Sequence, residues 1–492
     1  MGEKVVEDPY AITDAAIQEP PKSLWKALAK IGPGIVLAGS IVGSGELILT
    51  TSLGADWGFV FLWLVLFSCV IKVFVQIELG RYAISSAQPT LTALNSLPGP
   101  RLGASWLVWW WFCMLLASVF QLGAMVGSVG QALNVAFPQV SPAIAGALQS
   151  MSAPLAEAIR DRPEHPWSVL TALAAILLLL SGGYKRLEWV TTALVAGVTL
   201  ITVGCVLLLP STGYPIRPAD IKEGFNVLAI AALPPAAIAA AFSAFGITGV
   251  GASELYAYPY WCLEKGYARF TGPRSDDPKW VERAKGWLRV MILDAWVSMV
   301  VFTVATVAFY VLGATVLHRR DLHPKGAQMV VALAEMYVPT FGAWTKILFM
   351  IGAWAVLFKT LYVASAGHAR LSTDFLGLLG AVRFDDPQKR PRWIRRFCVF
   401  FPTLALILYL LFREPKMMVT VGGYAQAVTL PVISGAALYL RYFRTDKRLA
   451  PSLASDLLLW TAFVLITAVA GYAVYNDVFP TVGGWLGLVK KG

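Results

Sequence analysis

The sequence predicts an all-α polytopic membrane protein, and three observations support that fold class. Hydrophobic residues make up 57% of the 492 residues and charged residues only 14%, with a mean hydropathy of +0.64. Soluble domains usually carry about 25% charged residues. Apolar segments follow one another along the chain without a polar linker, and one short motif occurs twice. Together these features indicate a single membrane domain.

The apolar segments predict eleven transmembrane helices after a polar cytoplasmic tail over 1–32. A helix needs about 20 apolar residues to cross the hydrocarbon core. The tail contains no apolar run that ends at a small-residue cleavage site, so we expect the first helix to act as its own insertion signal. The predicted spans are 33–57, 58–83, 104–131, 167–183, 187–210, 233–259, 286–316, 340–366, 394–413, 418–441 and 453–475.

The Lys and Arg residues are distributed unevenly between the two sides of these spans. With the N-terminus in the cytoplasm, cytoplasmic segments hold 26 of them and outer segments hold 11. Because cytoplasmic loops carry the excess of basic residues, we expect a plasma-membrane protein with its N-terminus inside and its C-terminus outside. The net charge of +11 is spread over loops and forms no single patch, which argues against nucleic acid as a partner.

A six-residue motif occurs in the first span and again in the sixth. Residues 42–47 read VGSGEL and residues 250–255 read VGASEL, with four of six positions identical. Since the sixth span lies five spans after the first, the two copies enter the membrane from opposite sides. This pattern predicts an inverted repeat with discontinuous helices at the midplane. We expect a first repeat of five helices over 33–210, a second over 211–441, and an extra helix with the C-terminal tail over 442–492.

Each copy of the motif combines a carboxylate, Glu46 or Glu254, with glycines that weaken a helix by about 1 kcal/mol each relative to alanine. Irregular backbone at membrane depth is tolerated only where it is buried or lines a wet cavity. Unwinding there frees carbonyl groups that attract cations. The sequence therefore predicts an ion site formed by the two glutamates and by main-chain groups near Gly43, Gly249 and Gly251.

The chemistry of this donor set favours a hard divalent cation. Carboxylates, carbonyls and water suit Mg²⁺, Ca²⁺ or Mn²⁺, and neither motif contains Met, Cys or His. Mg²⁺ is usually held by one or two carboxylates with several waters retained. In the alternative interpretation the glycines mediate close helix packing and the glutamates pair with lysines such as Lys72 or Lys359. That alternative does not explain why both copies end in Glu.

Other polar residues in or near the spans carry weaker signals. We expect Lys72, Asp294 and Lys359 to form structural ion pairs or to extend toward the membrane surface. The histidines fall in loops or at the end of a span, so a proton relay is not indicated. Those histidines are His165, His318, His323 and His368.

Several segments resemble the Nramp divalent-metal transporters. These segments are GPGIVLAGSIVGSGELILTTSLGADWGFVFLW at 32–63, the stretch 76–81, GYKRLE at 183–188 and the region 254–256. The resemblance extends from about residue 32 to 441 in matching order. It implies the LeuT-type fold, with five plus five helices and one extra helix, and a metal site between helices 1 and 6.

The departures from the Nramp pattern bear on the choice of ion. Nramp metal transporters carry Asp-Pro-Gly-Asn in helix 1, where this sequence has GSGE at 43–46. Their helix 6 carries Met-Pro-His-Asn, where this sequence has GASE at 251–254. The soft Met ligand that favours Mn²⁺ and Fe²⁺ is therefore missing. These replacements resemble those of the Nramp-related magnesium transporters, a branch described as carrying Mg²⁺ and Mn²⁺ without proton coupling.

The resemblance also implies further site residues. The carbonyl ligand of helix 6 falls on Thr248, and a histidine associated with the proton route aligns with Tyr258. Gln426 lies in the region where Nramps place a glutamine near the metal. Ser44 and Ala252, within the two motifs, complete the set of candidates.

The sequence thus predicts a carrier that imports Mg²⁺ and Mn²⁺ by alternating access, uncoupled from protons and driven by the membrane potential. The expected partners are the divalent ion and the lipid bilayer, with no nucleic acid, no obligatory protein partner and no cofactor. One alternative is a proton-coupled Mn²⁺/Fe²⁺ symporter of the Nramp type. Another is an organic-solute (amino-acid) symporter of the same fold, although two glutamates would repel a substrate carboxylate. The sequence contains no nucleophile–base constellation that would indicate an enzyme.

Overall fold

The computed structural model describes residues 12, 14–181, 184–325, 329–384, 386 and 388–478. This part of the chain is helical apart from its loops and a small antiparallel ribbon of β1 (Arg101–Leu102) and β2 (Ala104–Ser105). The helices of the predicted spans are α1 (Pro33–Ile41), α2 (Thr51–Trp57), α3 (Leu62–Ser86), α4 (Trp106–Ala136), α5 (His165–Ser181), α6 (Tyr184–Leu208), α7 (Pro235–Ile247), α8 (Ala252–Lys265), α9 (Pro278–Leu312), α10 (Thr345–Leu378), α11 (Lys389–Phe412), α12 (Pro415–Phe443) and α13 (Leu453–Ala473).

Shorter helical segments connect these helices or extend them. The short α-helices are Leu24–Leu28, Thr90–Asn95, Val140–Leu148, Ala153–Asp161, Pro218–Gly224, Tyr267–Thr271, Met329–Ala334 and Val338–Phe341. The 3₁₀ turns are Asp14–Ala16, Leu209–Ser211, Val227–Ala232, His318–Arg320, Glu335–Tyr337 and Lys447–Leu449. Three π-helical segments, with a wider turn, are Gly45–Thr50, Gly313–Leu317 and Val474–Val478.

Each predicted span has a helix at its place in the structure. Within the described residues, eight helices are long and apolar enough to cross a membrane. A ninth is obtained if Ala153–Asp161 and α5, which meet at 93°, count as one span. The count of eleven and the orientation of the termini stay predictions. Residues 182–183 and the side chains of 184–188, which together include the whole GYKRLE motif, lie outside the described part.

The first helix is interrupted at its glycine motif, as predicted. Helix α1 begins with Pro33 in its first turn and ends at Ile41, where the N–H of Gly43 donates to the Ile41 carbonyl at 2.6 Å. The backbone then widens into the π-helical segment before α2. Gly43 packs directly on Thr360 of α10, and any Cβ at residue 43 would collide with that side chain. Glycine is therefore required here for the close approach of two helices.

The sixth helix is interrupted at the second copy of the motif. Helix α7 ends at Ile247, and Thr248 is extended, with a ψ angle of 130°. Gly249 has a φ angle of +68°, which glycine adopts without the steric cost of a Cβ. Helix α8 begins at Ala252. The prediction of two discontinuous helices is confirmed, and both breaks lie at the motif that occurs twice.

The helices of both halves pack around the two breaks. Helix α4 packs against α10, α11 and α12, while α9 packs against α1 and α3. Helices α11 and α13 have most of their surface exposed, including Leu411 and Leu457. Exposed apolar faces of this kind are favourable against lipid.

Ion pairs hold the loops at the two ends of the helices. At one end, Asp446 accepts hydrogen bonds from Arg448 and pairs with Arg274 at 2.9 Å. These contacts lower the pKa of Asp446 from 3.8 to about 2, and the hydrogen bond from the Arg448 side chain is the largest cause. At the other end, in the last turn of α2, Asp56 pairs with Lys416 at 2.6 Å and with His323 at 2.9 Å.

Candidate ion site at the two helix breaks

Glu46 joins the two breaks and keeps one oxygen atom free. The residue lies in the π-helical segment after the first break and is fully buried. Its Oε1 atom accepts hydrogen bonds from the N–H of Gly249 at 3.1 Å and from the Thr306 hydroxyl at 3.3 Å. No described residue donates to Oε2. A buried carboxylate oxygen without a partner is costly, and a bound cation would remove that cost.

Glu254 lies in the first turn of α8 and is half-buried. It lines a narrow cavity together with Leu37 of α1 and with residues of α10 that include Val363, His368 and Leu371. Lys72, one of the two lysines of the packing alternative, donates to neither Glu46 nor Glu254. That lysine therefore forms no direct ion pair with either glutamate.

Lys72 instead contacts the carbonyl groups of the sixth helix. Its ammonium group is fully buried and donates to the carbonyls of Phe245 and Thr248, the latter at 2.7 Å. The Ser68 hydroxyl donates to the same Thr248 carbonyl at 2.9 Å. Both lone pairs of the carbonyl that was predicted to bind metal are thus already engaged. The Thr248 hydroxyl lies 2.9 Å from that of Thr50, which ties the sixth helix to the first.

Two glutamine side chains connect the two breaks through a chain of hydrogen bonds. The side-chain oxygen of Gln426 accepts from the N–H of Ser253 at 3.0 Å, and its amide nitrogen donates to Gln121 at 2.9 Å. Gln121 in turn donates to the hydroxyl of Ser44 at 2.9 Å. The structure therefore brings the candidates Gln426 and Ser44 into one chain of hydrogen bonds. Gln121 was not predicted; the signal available was an amide side chain within an otherwise apolar span.

The glycines of the second motif leave room for polar atoms. A Cβ at Gly251 would lie 2.5 Å from Oε2 of Glu254 and 2.6 Å from the side-chain oxygen of Gln426. These two oxygens thus converge on the backbone just before α8. Ala252, the first residue of α8, is fully buried. In the first motif, the carbonyl of Gly43 already accepts the N–H of Leu47 at 2.9 Å.

Tyr258 lies further along α8 and contacts α9. Its hydroxyl lies 3.4 Å from Oδ2 of Asp294, and that carboxylate accepts the N–H groups of Gly32 and Gly34. Asp294 therefore caps the N-terminus of α1, where a negative charge is favourable. The structure thus assigns Asp294 main-chain partners where an ion pair or an extension toward the surface was expected.

Two residues beside the breaks were absent from the predicted site. His368 was placed at the end of a span, but α10 continues to Leu378, so His368 is buried within the helix and lines the cavity of Glu254. Cys69 of α3 lies against Gly249, with its Sγ 3.4 Å from the position of a Cβ there. No pattern in the two motifs indicated either contact, because both arise from packing with another helix. The described residues contain no group of three or more His, Cys, Asp or Glu side chains suited to a metal ion.

Comparisons with known proteins agree with this architecture. Residues 34–476 match the family model Nramp, described as natural resistance-associated macrophage protein-like. The divalent metal cation transporter MntH of Mesorhizobium japonicum is 21% identical over 478 residues, which cover 95% of this chain and 93% of the relative. MntH of Xylella fastidiosa is 22% identical over 375 residues, which cover 76% of this chain and 68% of the relative.

Solved structures share the fold at low sequence identity. The manganese transporter of Eremococcus coleocola, in complex with an aromatic bis-isothiourea substituted compound, superposes with a TM-score of 0.63 at 15% identity, covering 96% of this chain and 91% of that one. MhsT in complex with L-phenylalanine superposes with a TM-score of 0.56 at 14% identity, covering 93% of this chain and 99% of that one. The predicted all-α fold of the LeuT type is confirmed.

Proposed function

This chain belongs to the Nramp family and is a divalent metal transporter, not an enzyme, and on that premise we propose that it imports Mg²⁺ and also Mn²⁺. The observation that carries the proposal is the buried Oε2 of Glu46, which has no hydrogen-bond partner among the described residues. An oxygen in that position suits a hard cation. Glu254 supplies a second carboxylate from the cavity beside α8.

The proposed site uses fewer protein ligands than the sequence suggested. The Thr248 carbonyl is occupied by Lys72 and Ser68, so it does not contribute a ligand while those hydrogen bonds are in place. Glu46 and Glu254 then remain as the charged ligands, with water completing the shell. This composition favours Mg²⁺, which sheds its water reluctantly and is usually bound by one or two carboxylates. Gly43, Gly249 and Gly251 contribute mainly by shaping the two breaks.

Alternating access is the transport mechanism we propose for this site. The cavity beside Glu254 is lined by α1, α8 and α10, whereas the far end of the first helix is held by the ion pair of Asp56 with Lys416. Rocking of helices 1 and 6 against the remaining helices would open one side and close the other. Separation of Asp56 from Lys416 is then part of opening the far side.

We propose further that transport is uncoupled from protons. The two positions that align with the Nramp proton route are Gly43 and Tyr258, and the Tyr258 hydroxyl already contacts Asp294. Coupling is also dispensable in energetic terms. A divalent ion gains about 4.6 kcal/mol from an inside-negative potential of about 100 mV. At about 1.36 kcal/mol per factor of ten, this supports an accumulation of roughly 10³-fold.

The decisive experiment is transport into liposomes that contain only this protein, a Mg²⁺ reporter and a pH dye, at a clamped potential. We expect potential-driven Mg²⁺ entry with no change in internal pH beyond that of protein-free liposomes. Acidification proportional to metal entry would replace the uncoupled mechanism with a proton-coupled symporter. Uptake of amino acids in place of metal would favour the organic-solute symporter.

Selectivity tests the donor set independently. With oxygen ligands only, Mn²⁺ should compete with Mg²⁺ at comparable concentrations in uptake and calorimetric binding. Binding of Mn²⁺ that is orders of magnitude tighter would indicate a soft ligand. Cys69 is the residue to test in that case, because it lies against Gly249. A Cys69→Ser variant that lost the Mn²⁺ preference would then show that the thiol binds the metal.

A further inference from the structure

Lys72 is a cationic side chain enclosed at the break of the sixth helix. It is fully buried in α3 and lies 4.8 Å from the centre of the Phe245 ring. Its ammonium donates to the carbonyls of Phe245 and Thr248. These carbonyls belong to the last turn of α7 and to the residue that follows it. All the described polar contacts of Lys72 are thus oxygen atoms at the C-terminal end of a half-helix.

This end of α7 has the properties of a site for a monovalent cation. The last carbonyls of a helix have no intrahelical donors, and the helix dipole places partial negative charge there. Ser68 contributes a hydroxyl that contacts both carbonyls, at 3.3 Å and 2.9 Å. The Phe245 ring presents its negative face to the ammonium. Two carbonyls and an aromatic face thus contact a single positive charge, and a hydroxyl group donates to the same two carbonyls.

We propose that the Lys72 ammonium is a tethered cation that fills a monovalent-cation site built into the break of the sixth helix. The carried divalent ion then binds beside it, on Glu46 and Glu254, and the transporter needs no free monovalent ion as a second ligand. The last statement rests on the proposed function. The occupancy of the site by Lys72 does not, because it concerns only the carbonyls of α7.

Electrostatics and position support this role over that of a simple packing residue. Glu46 accepts the N–H of Gly249, while Lys72 donates to the carbonyl of the preceding residue, Thr248. The carboxylate and the ammonium therefore bind the N–H and the C=O of one and the same peptide group, in the unwound turn between α7 and α8. A neutral side chain of similar length would leave the α7 carbonyls without a charged donor, and such groups are costly when buried.

The proposal is tested by removing the tethered cation and supplying a free one. Lys72→Ala deletes the three terminal carbons and the nitrogen, which propylammonium replaces atom for atom. We expect Lys72→Ala to lower the midpoint of thermal unfolding, and added propylammonium to restore at least half of the loss in a saturable manner. Propanol, which is neutral and of similar size, should restore none of it. The unfolding midpoints are measured without divalent metal, so the test is valid whichever ion the protein carries.

Two variants serve as controls. Lys72→Met fills the space with a neutral chain and should not respond to propylammonium. Lys346→Ala removes a lysine in the first turn of α10 that pairs with Glu335, and it should be insensitive to both additives. A folded Lys72→Ala protein that gains nothing from propylammonium, or gains equally from propanol, overturns the proposal.

A measurement on the unaltered protein covers the case in which Lys72→Ala does not fold. Since Lys72 already fills the site, replacing Na⁺ and K⁺ by choline should leave the affinity for Mg²⁺ and Mn²⁺ unchanged within twofold. A requirement for Na⁺ or K⁺, in binding or in uptake at constant ionic strength, would show that a free cation occupies the break and would refute the tethered role. Failure to bind either divalent ion under any condition would contradict the proposed function instead.

Discussion

Replacing Glu46 by Gln would change the charge of the candidate site while keeping its shape. Oε1 of Glu46 accepts from the N–H of Gly249 and from the Thr306 hydroxyl. The carbonyl oxygen of a glutamine can accept both hydrogen bonds. Its amide group would then replace Oε2, which has no donor among the described residues. The variant therefore exchanges a cation-binding oxygen for an N–H donor, and we expect it to fold and to lose ion binding.

The size of the loss follows from the burial of the carboxylate. Glu46 is fully buried, so neither water nor salt screens its charge effectively. Truncation of one partner of a buried charged contact costs about 2–5 kcal/mol. At about 1.36 kcal/mol per factor of ten, the affinity for Mg²⁺ should fall by about 30-fold to 5,000-fold. Because the Gln oxygen retains both hydrogen bonds of Oε1, we expect most of this cost to appear in ion binding and little of it in the free energy of unfolding.

Calorimetric titration of purified protein with Mg²⁺, combined with uptake into liposomes, measures the effect. Glu335→Gln is a matched control, because it also removes one negative charge but lies in the 3₁₀ turn Glu335–Tyr337, 3.1 Å from Arg320. It should bind and transport as the unaltered protein does. Glu46→Gln protein that is folded and binds Mg²⁺ within threefold of the unaltered protein would refute the assignment. An equal loss in the control would show that the effect is one of net charge alone.

Other substitutions test the shape of the breaks and the loop ion pairs. Gly251→Ala should weaken ion binding, because its Cβ would lie 2.5 Å from a carboxylate oxygen of Glu254. Gly197→Ala, which has no atom within 4 Å of the added Cβ, should leave ion binding unchanged. Equal affinities of the two variants for Mg²⁺ would contradict this expectation. Gln121→Leu and Gln426→Leu should be coupled by about 0.5–3 kcal/mol in a double-mutant cycle of Mg²⁺ binding, because the two side chains share a hydrogen bond. Strictly additive effects on the Mg²⁺ affinity would argue against a connection between the breaks. Because folding lowers the pKa of Asp446 from 3.8 to about 2, its ion pairs stabilise the protein above about pH 4 and are lost as the pH falls toward 2. The unfolding midpoints of Asp446→Asn and the unaltered protein should therefore converge over that interval, and convergence already near about pH 6 would show that other groups are responsible.

Local properties of the sequence were sufficient to predict the fold class and the two helix breaks. Apolar runs of membrane length predict helices because an unsatisfied peptide group in lipid costs several kcal/mol. The two glycine motifs predicted the breaks after Ile41 and Ile247, because glycine lowers helix stability wherever it occurs. Placement of Glu46 and Glu254 beside those breaks followed from their position in the motif. These features depend on neighbouring residues, and a sequence records them directly.

The tertiary structure alone decided which polar groups meet at the breaks. Lys72 and Thr248 are 176 residues apart, and Gly32 and Asp294 are 262 residues apart. No periodicity or composition specifies such partners, because a buried lysine can satisfy its charge with a carboxylate or with the carbonyls of a helix end. The resemblance to Nramp transporters implied a metal ligand at the Thr248 carbonyl, whereas the fold brings a lysine to it. Which helix packs against which is set by the whole chain, and that packing determines which oxygen atoms remain available to an ion.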